Sequence, residues 1–173
     1  MLKGNAIIGQ SGGPTSVINA SLSGIVTKAG EYTEIENVFG MRYGIEGFMA
    51  ENIVDLGSES LDTIAKLKET PSSALGSCRH KLKEEDLPKI LEILKKYNIR
   101  YLFLIGGNDT MDTIHRVEAY ARTNHYDLFG IGVPKTVDND LFGTDHTPGF
   151  ASAARYMALS VMQAGILAKD MQK

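Results

Sequence analysis

Apolar and polar positions divide the chain into two alternating kinds of segment. Short apolar runs occupy Asn5–Ile8, Glu34–Phe39, Tyr101–Ile105 and Leu128–Val133. None alternates cleanly between apolar and polar, which predicts strands buried on both faces. Between them lie longer stretches with apolar residues three and four apart. Thr15–Ala29 places Val17, Ile18, Leu22, Ile25 and Val26 on one face. Lys83–Tyr97 does the same with Leu87, Ile90, Leu91 and Leu94, the signature of an amphipathic helix. Asp112–Arg122 and Ala151–Lys169 complete the predicted helices. In the last one, Met157, Val161 and Met162 are expected in the core, and the run of alanines with Gly165 is expected to pack against another element. Strands alternating with helices predict βαβ units, and so an α/β fold: a parallel sheet with helices on both faces, in three Rossmann-like layers. No repeat, linker or low-complexity stretch interrupts it, so residues 1–173 read as a single α/β domain.

Composition narrows the function classes. A 43% hydrophobic content over 173 residues supports a real core. With 18 Lys and Arg against 21 Asp and Glu, and no basic run, the chain does not read as a nucleic-acid binder. No apolar stretch approaches the ~18 residues that span a bilayer, and the first residues carry no export signal. A single cysteine, Cys78, excludes a disulfide framework and reads as a structural thiol. A cytoplasmic location is therefore expected. His80, His115, His125 and His146 are scattered without zinc-ligand spacing.

Glycine is the outlier, with 18 residues against a usual share of about 7%, and it clusters where the apolar runs end. Ligands of open α/β sheets bind beyond the strand C-termini. Glycines there bring backbone N–H groups close to an anion. A plain β-to-α turn also calls for glycine. Three such strand ends, each trailed by small hydroxyl or acidic residues, favour a phosphate-binding cleft.

The first of these loops, Ser11-Gly12-Gly13-Pro14-Thr15-Ser16, lacks both the Walker lysine and the GxGxxG spacing. A helix starting near Thr15 would still aim its N–H groups at a phosphate. The second is Gly106-Gly107-Asn108-Asp109-Thr110. Its polar side chains can reach a phosphate or a metal on it, and an acid beside phosphate needs Mg²⁺ or a basic residue between them. Asp109 or Thr110 could equally be a helix cap. The third, Pro134-Lys135-Thr136-Val137-Asp138-Asn139-Asp140, holds a lysine able to neutralise phosphate and carboxylates able to take a proton from a hydroxyl. Its alternative is an Asx-rich turn.

Taken with Leu75-Gly76-Ser77-Cys78-Arg79 and Thr144-Asp145-His146-Thr147-Pro148-Gly149-Phe150, these loops resemble phosphofructokinases over essentially the whole chain, most closely the pyrophosphate-using branch. The resemblance implies Mg²⁺-dependent phosphoryl transfer from pyrophosphate to the 1-hydroxyl of fructose 6-phosphate, the 6-phosphofructokinase step of glycolysis. Gly12 and Gly13 match the loop that cradles the donor, with Gly107, Asp109, Thr110 and Lys135 also on the donor side. Arg79 matches an arginine bridging donor and acceptor. Thr136, Asp138 and Asp140 match the acceptor loop, with Asp138 as the base.

Two positions bear on the donor. ATP-using members of the family carry glycine where this chain has Asp109 and Lys135. A side chain at Asp109 would crowd and repel the α-phosphate of ATP, and Lys135 would supply a charge to pyrophosphate. The alternatives are an ATP donor or a non-catalytic regulatory subunit that binds phosphate or a nucleotide. Retention of Arg79, Thr136, Asp138 and Asp140 argues against the latter. One position departs from the family: Asn108 stands where an aspartate usually helps hold Mg²⁺, leaving Asn108, Asp140 and Asp109 as candidate metal partners. The family has two similar domains and is usually a homo-oligomer with sites completed across subunits. The chain matches the first domain, so the sugar-phosphate arginines are expected beyond it and the chain alone is expected to be inactive.

Overall fold

The computed structural model describes residues 2–171. The chain runs β1 (Gly4–Gln10), α1 (Ile18–Ala29), β2 (Ile35–Met41), α2 (Gly44–Met49), β3 (Ile53–Asp55) and α3 (Leu61–Lys66), then an irregular stretch leading to α4 (Leu87–Lys96). It continues through β4 (Ile99–Gly106), α5 (Asn108–Thr123) and β5 (Phe129–Pro134) to α6 (Phe150–Asp170). The strands form one sheet in the order β3-β2-β1-β4-β5. β1 pairs in parallel with both β2 and β4, and β4 with β5.

The two faces of the central strands explain the layers. Ile7, Leu102 and Leu104 face α2, α4 and α5, where Phe48, Ile90, Leu94 and Val117 complete one core. Ile8 and Ile105 face the other way, onto Ile18, Leu22 and Val26 of α1 and Ile64 of α3. Adjacent strand residues serve opposite faces, which is why the apolar runs of β1 and β4 do not alternate. Helices therefore cover both faces, as the sequence pattern predicts.

Three expectations need correction. The sheet is mixed: β3 pairs antiparallel with β2, Met41 opposite Ile53. The Arg42–Asn52 connection is too short for a parallel crossover, which takes a dozen or more residues. β5 is not buried on both faces, since it forms the sheet edge and Phe129 is 52% exposed. Nor do Met157, Val161 and Met162 lie in a core: no residue of α6 is buried, and these three are exposed. The 135–149 segment carries α6 off the end of β5, away from the sheet, and only its start lies close to the body, with Gly149 against Thr15 and Val17.

Two helix starts also shift, and both matter for the site. α1 begins at Ile18 rather than near Thr15, because the chain first turns over the top of β1 with Gly12 in the left-handed region, at φ +78°. α5 begins at Asn108, not Asp112, with Gly107 as its N-cap. Asp109 and Thr110 are thus first-turn residues and not caps, and the helix N-terminus sits directly on the end of β4. Among the described residues, no helix is long and apolar enough to cross a membrane.

The contrast between core and α6 can be checked by urea denaturation of the chain. Leu94→Ala, at a fully buried position, should cost about 2–5 kcal/mol. Met162→Ala should stay within about 0.5 kcal/mol of the parent. Equal losses at the two positions would contradict the packing described.

Candidate active site

Parallel pairing puts the C-terminal ends of three strands side by side. Gln10 of β1 lies opposite Ile105 of β4, and Gly106 opposite Pro134 of β5. The three loops that leave these ends must share one edge of the sheet. They do so through direct contacts. Ser11 N donates to Ile105 O at 2.9 Å and Lys135 N to Gly106 O at 2.9 Å. Gly106 has no room for a side chain, since an added Cβ would fall 2.1 Å from Thr110 Oγ1.

Lys135 is the hub of the site. Its side chain is buried, and its ammonium donates to Gly13 O at 2.7 Å. This ties the loop after β5 to the loop after β1. Glycine suits position 12, which has φ +78° and where an added Cβ would come 3.1 Å from Lys135 Nζ. Burial pushes the Lys135 ammonium below its ordinary pKa, and the nearby Arg79 charge lowers it further while Asp138 opposes them. A buried cation whose bonded partner is a neutral carbonyl favours an incoming anion.

Two cavities adjoin at this point. One, of about 540 Å³, is bounded by Gly12, Gly107, Asp109 and Thr110. The other, of about 660 Å³, is bounded by Gly13, Thr15, Ser16 and the start of α6 with Tyr156. Arg79, Lys135, Thr136 and Asp138 line both, so they stand where a group in one would meet a group in the other. Arg79 arrives from the irregular 70–82 stretch and lies beside Gly13, whose Cβ would be 3.5 Å from Arg79 Nη2.

The loop after β5 is held in a defined shape. Thr136 Oγ1 accepts from Asp138 N at 3.1 Å. Asn139, at φ +53°, accepts from Thr147 N at 2.8 Å and donates to Asp145 O at 3.1 Å. The fully buried Thr147 hydroxyl donates to Thr136 O. Asn139 and Thr147 are bracing residues that the sequence pattern does not single out. Two polar residues eight apart in a loop give no periodic signal, and only the closed turn reveals them. Asp138 itself remains exposed.

On the far side of the first cavity, Asn108 Nδ2 donates to Asp140 Oδ2 at 3.0 Å. This bond joins the loops after β4 and β5, and it turns the amide nitrogen, not the oxygen, toward Asp140. Among the described residues, no three His, Cys, Asp or Glu side chains gather closely enough to cage a metal. Mg²⁺ does not need such a cage, because it binds through one or two carboxylates together with substrate phosphates and water. Asp109 and Asp140 on one cavity wall fit that description. His80 also borders this cavity and is bonded through Nε2 to Asp86 at 2.8 Å, which holds the Asp86 carboxyl below its ordinary pKa.

The phosphofructokinase family model matches residues 5–171. The chain belongs to the phosphofructokinase family. This phosphofructokinase domain is 44% identical over 158 residues to the pyrophosphate–fructose 6-phosphate 1-phosphotransferase of Rhodospirillum rubrum, covering 91% of this chain and 39% of that protein. It is 40% identical over 153 residues to a sulfofructose kinase of Alkalicoccus urumqiensis, covering 88% and 39%. The pyrophosphate-dependent phosphofructokinase structure from Nitrosospira multiformis superposes with a TM-score of 0.92 at 42% identity, over 96% of this chain and 42% of that one. The yeast phosphofructokinase structure shares the fold at 20% identity, with a TM-score of 0.82 over 97% of this chain and 25% of that one. The chain thus spans about two-fifths of the length of the curated relatives just named.

The phosphofructokinase domain brings together every site residue picked out in its sequence: Gly12, Gly13, Arg79, Gly107, Asn108, Asp109, Thr110, Lys135, Thr136, Asp138 and Asp140 all border one or both cavities. The depressed Lys135 pKa has a signed consequence. Below an ordinary lysine value of about 10.4, the unfolded chain keeps this proton to higher pH than the folded chain does. Stability from this site therefore rises with pH between the lowered value and about 10.4. Lys135→Met should remove that rise, read as the difference between parent and variant unfolding free energies across this alkaline range. A constant difference would contradict the buried placement of the ammonium.

Proposed function

We propose that, in an enzyme of its relatives' length, this domain carries the donor side and the base of a Mg²⁺-dependent phosphoryl transfer from pyrophosphate to the 1-hydroxyl of fructose 6-phosphate. The observation that carries the reading is the wall common to the two cavities, formed by Arg79, Lys135, Thr136 and Asp138. Phosphoryl transfer relies on placing donor and acceptor in line with positive charge at the transferred group, and this wall holds two cations and one carboxylate. The names of the relatives in Rhodospirillum rubrum and Nitrosospira multiformis point to the same donor.

The pyrophosphate lies in the cavity at the ends of β1 and β4. The Gly107 N–H and the α5 N-terminus face its oxygens, while Gly12 and Gly13 let the loop after β1 approach it closely, the Gly12 N–H itself being held by Cys78 O. Thr110 lines the same cavity. Lys135 leaves Gly13 O for the anion, and Arg79 neutralises the charge that develops on the transferred group. In the neighbouring cavity, Asp138 accepts the proton of the sugar 1-hydroxyl as its oxygen attacks the phosphorus. The bridging P–O bond breaks and inorganic phosphate leaves. Thr136 holds the Asp138 backbone. Asp109 and Asp140 would hold Mg²⁺, which would supply positive charge to the phosphates when bound. The Asn108 amide orients Asp140. Asp109 also repels any donor that extends past the second phosphate, which excludes ATP.

Turnover is expected with pyrophosphate and Mg²⁺ and not with ATP. The reverse pattern would end the donor assignment. In the same complete enzyme, Asp138→Asn should lower kcat by about 10²–10⁴ while the pyrophosphate dissociation constant stays put. Near-normal turnover by that variant would remove Asp138 from the role of base.

A further inference from the structure

The arginine at the shared wall sits on a stretch with no regular structure, and two buried amides hold that stretch in place. Gln10, the last residue of β1, and Asn19, in the first turn of α1, are both fully buried. Gln10 Nε2 donates to Asn19 Oδ1 at 2.9 Å. Gln10 Oε1 accepts from Ser73 Oγ at 2.8 Å and from Leu75 N at 3.0 Å. Asn19 Oδ1 also accepts from Ala74 N at 2.8 Å, and Asn19 Nδ2 donates to Thr70 O at 2.9 Å. Asn19 Oδ1 thus receives two donors, Gln10 Oε1 receives the Leu75 N–H and shares the Ser73 hydroxyl with Gly76 O, and each amide nitrogen has an acceptor. The orientation of both groups is fixed, and a buried amide left without partners would be unfavourable.

From this anchor the backbone runs directly to the site. Tyr43 N donates to Leu75 O at 2.9 Å, Ser77 Oγ to Gly12 O at 2.6 Å, and Gly12 N to Cys78 O at 3.1 Å. The next residue is Arg79. Neither Gln10 nor Asn19 lines either cavity, so a direct contact with substrate is not their role. We infer that the Gln10–Asn19 amide pair is a positioning device. It locks residues 70–75 to the end of β1 and the start of α1, so that Arg79 and the Gly12–Gly13 loop move as one unit. A polar pair at the end of an apolar strand and on the buried face of a helix costs packing that Leu or Ile would have supplied. What it provides is a fixed path for an otherwise irregular segment that carries a side chain working at a bond-breaking distance. The inference rests on the proposed role of Arg79, and its test separates the two.

The first measurement is amide hydrogen exchange on the chain itself. Gln10→Leu keeps the bulk and removes all three bonds. Exchange at Leu75 should quicken by about tenfold or more, while Leu102 in β4 is unchanged. Ser73→Ala, which removes the hydroxyl shared between Gln10 Oε1 and Gly76 O and leaves the core intact, should act in the same direction with a smaller effect. Unchanged exchange at Leu75 in both variants would overturn the inference. The second measurement is kinetic, in the complete enzyme. Gln10→Leu should lower kcat by roughly ten- to a hundredfold, the scale of a small misplacement of a reacting group. It should add nothing further in an Arg79→Ala background. Independent, multiplying losses would show that Gln10 does not act through Arg79 and would overturn the positioning role. Normal kcat in Arg79→Ala alone would instead defeat the proposed role of Arg79, while the exchange result would still decide whether the amide pair fixes the segment.

Discussion

Everything at this site depends on the parallel register of β1, β4 and β5. With Gln10 level with Ile105 and Gly106 level with Pro134, the three strands end at one height and turn into loops on one edge. Parallel strands need long crossovers, so α1, with the β2–α4 segment that follows it, and α5 are the price of that alignment, and they in turn supply the two hydrophobic cores. A slip of one register position would reverse which face each strand side chain serves. It would also separate Lys135 from Gly13.

The second constraint is charge. The rim of the cavity at the ends of β1 and β4 holds Asp109, Asp140 and the exposed Asp138, against Arg79, Lys81 and the buried Lys135. The buried ammonium rests on a carbonyl, and burial disfavours its charge. In the proposed reaction, phosphate oxygens supply the negative charge that offsets it. The neutral Asn108 between Asp109 and Asp140 limits carboxylate repulsion, because it donates a hydrogen bond where an aspartate would add a third charge. Under the proposed function, this balance of charge suits a compact, highly charged donor better than a long one.

Much of this is legible in the sequence. The apolar runs located β1, β2, β4 and β5, and helical spacing located α1, α4, α5 and α6. The third loop sequence named Lys135, Thr136 and Asp138 of the shared wall, and the family resemblance supplied Arg79. What escaped has physical reasons. β3 is three residues long, shorter than any pattern window, and its antiparallel pairing follows from a short connection. α2 is short and glycine-rich, and α3 equally brief. Asn108-Asp109-Thr110 looks like a loop because its residues are polar, yet these three form the first helical turn, where acids and hydroxyls are favoured. The apolar face of α6 has helical periodicity, which cannot tell whether a partner for that face lies within the same 173 residues. Gln10 and Asn19 were hidden because polarity at a buried position is unreadable without its partners, which apart from each other lie more than fifty residues away.

The claim that the three strand ends form one pyrophosphate site is tested most directly by a ¹H–¹⁵N titration of the chain with pyrophosphate and Mg²⁺. Shifts should concentrate at Gly12, Gly13, Gly107, Asp109, Thr110 and Lys135, with residues at the opposite end of the sheet, such as Ile99 and Phe129, unmoved. Saturating pyrophosphate that leaves those amides in place, or moves only the opposite end, would contradict it.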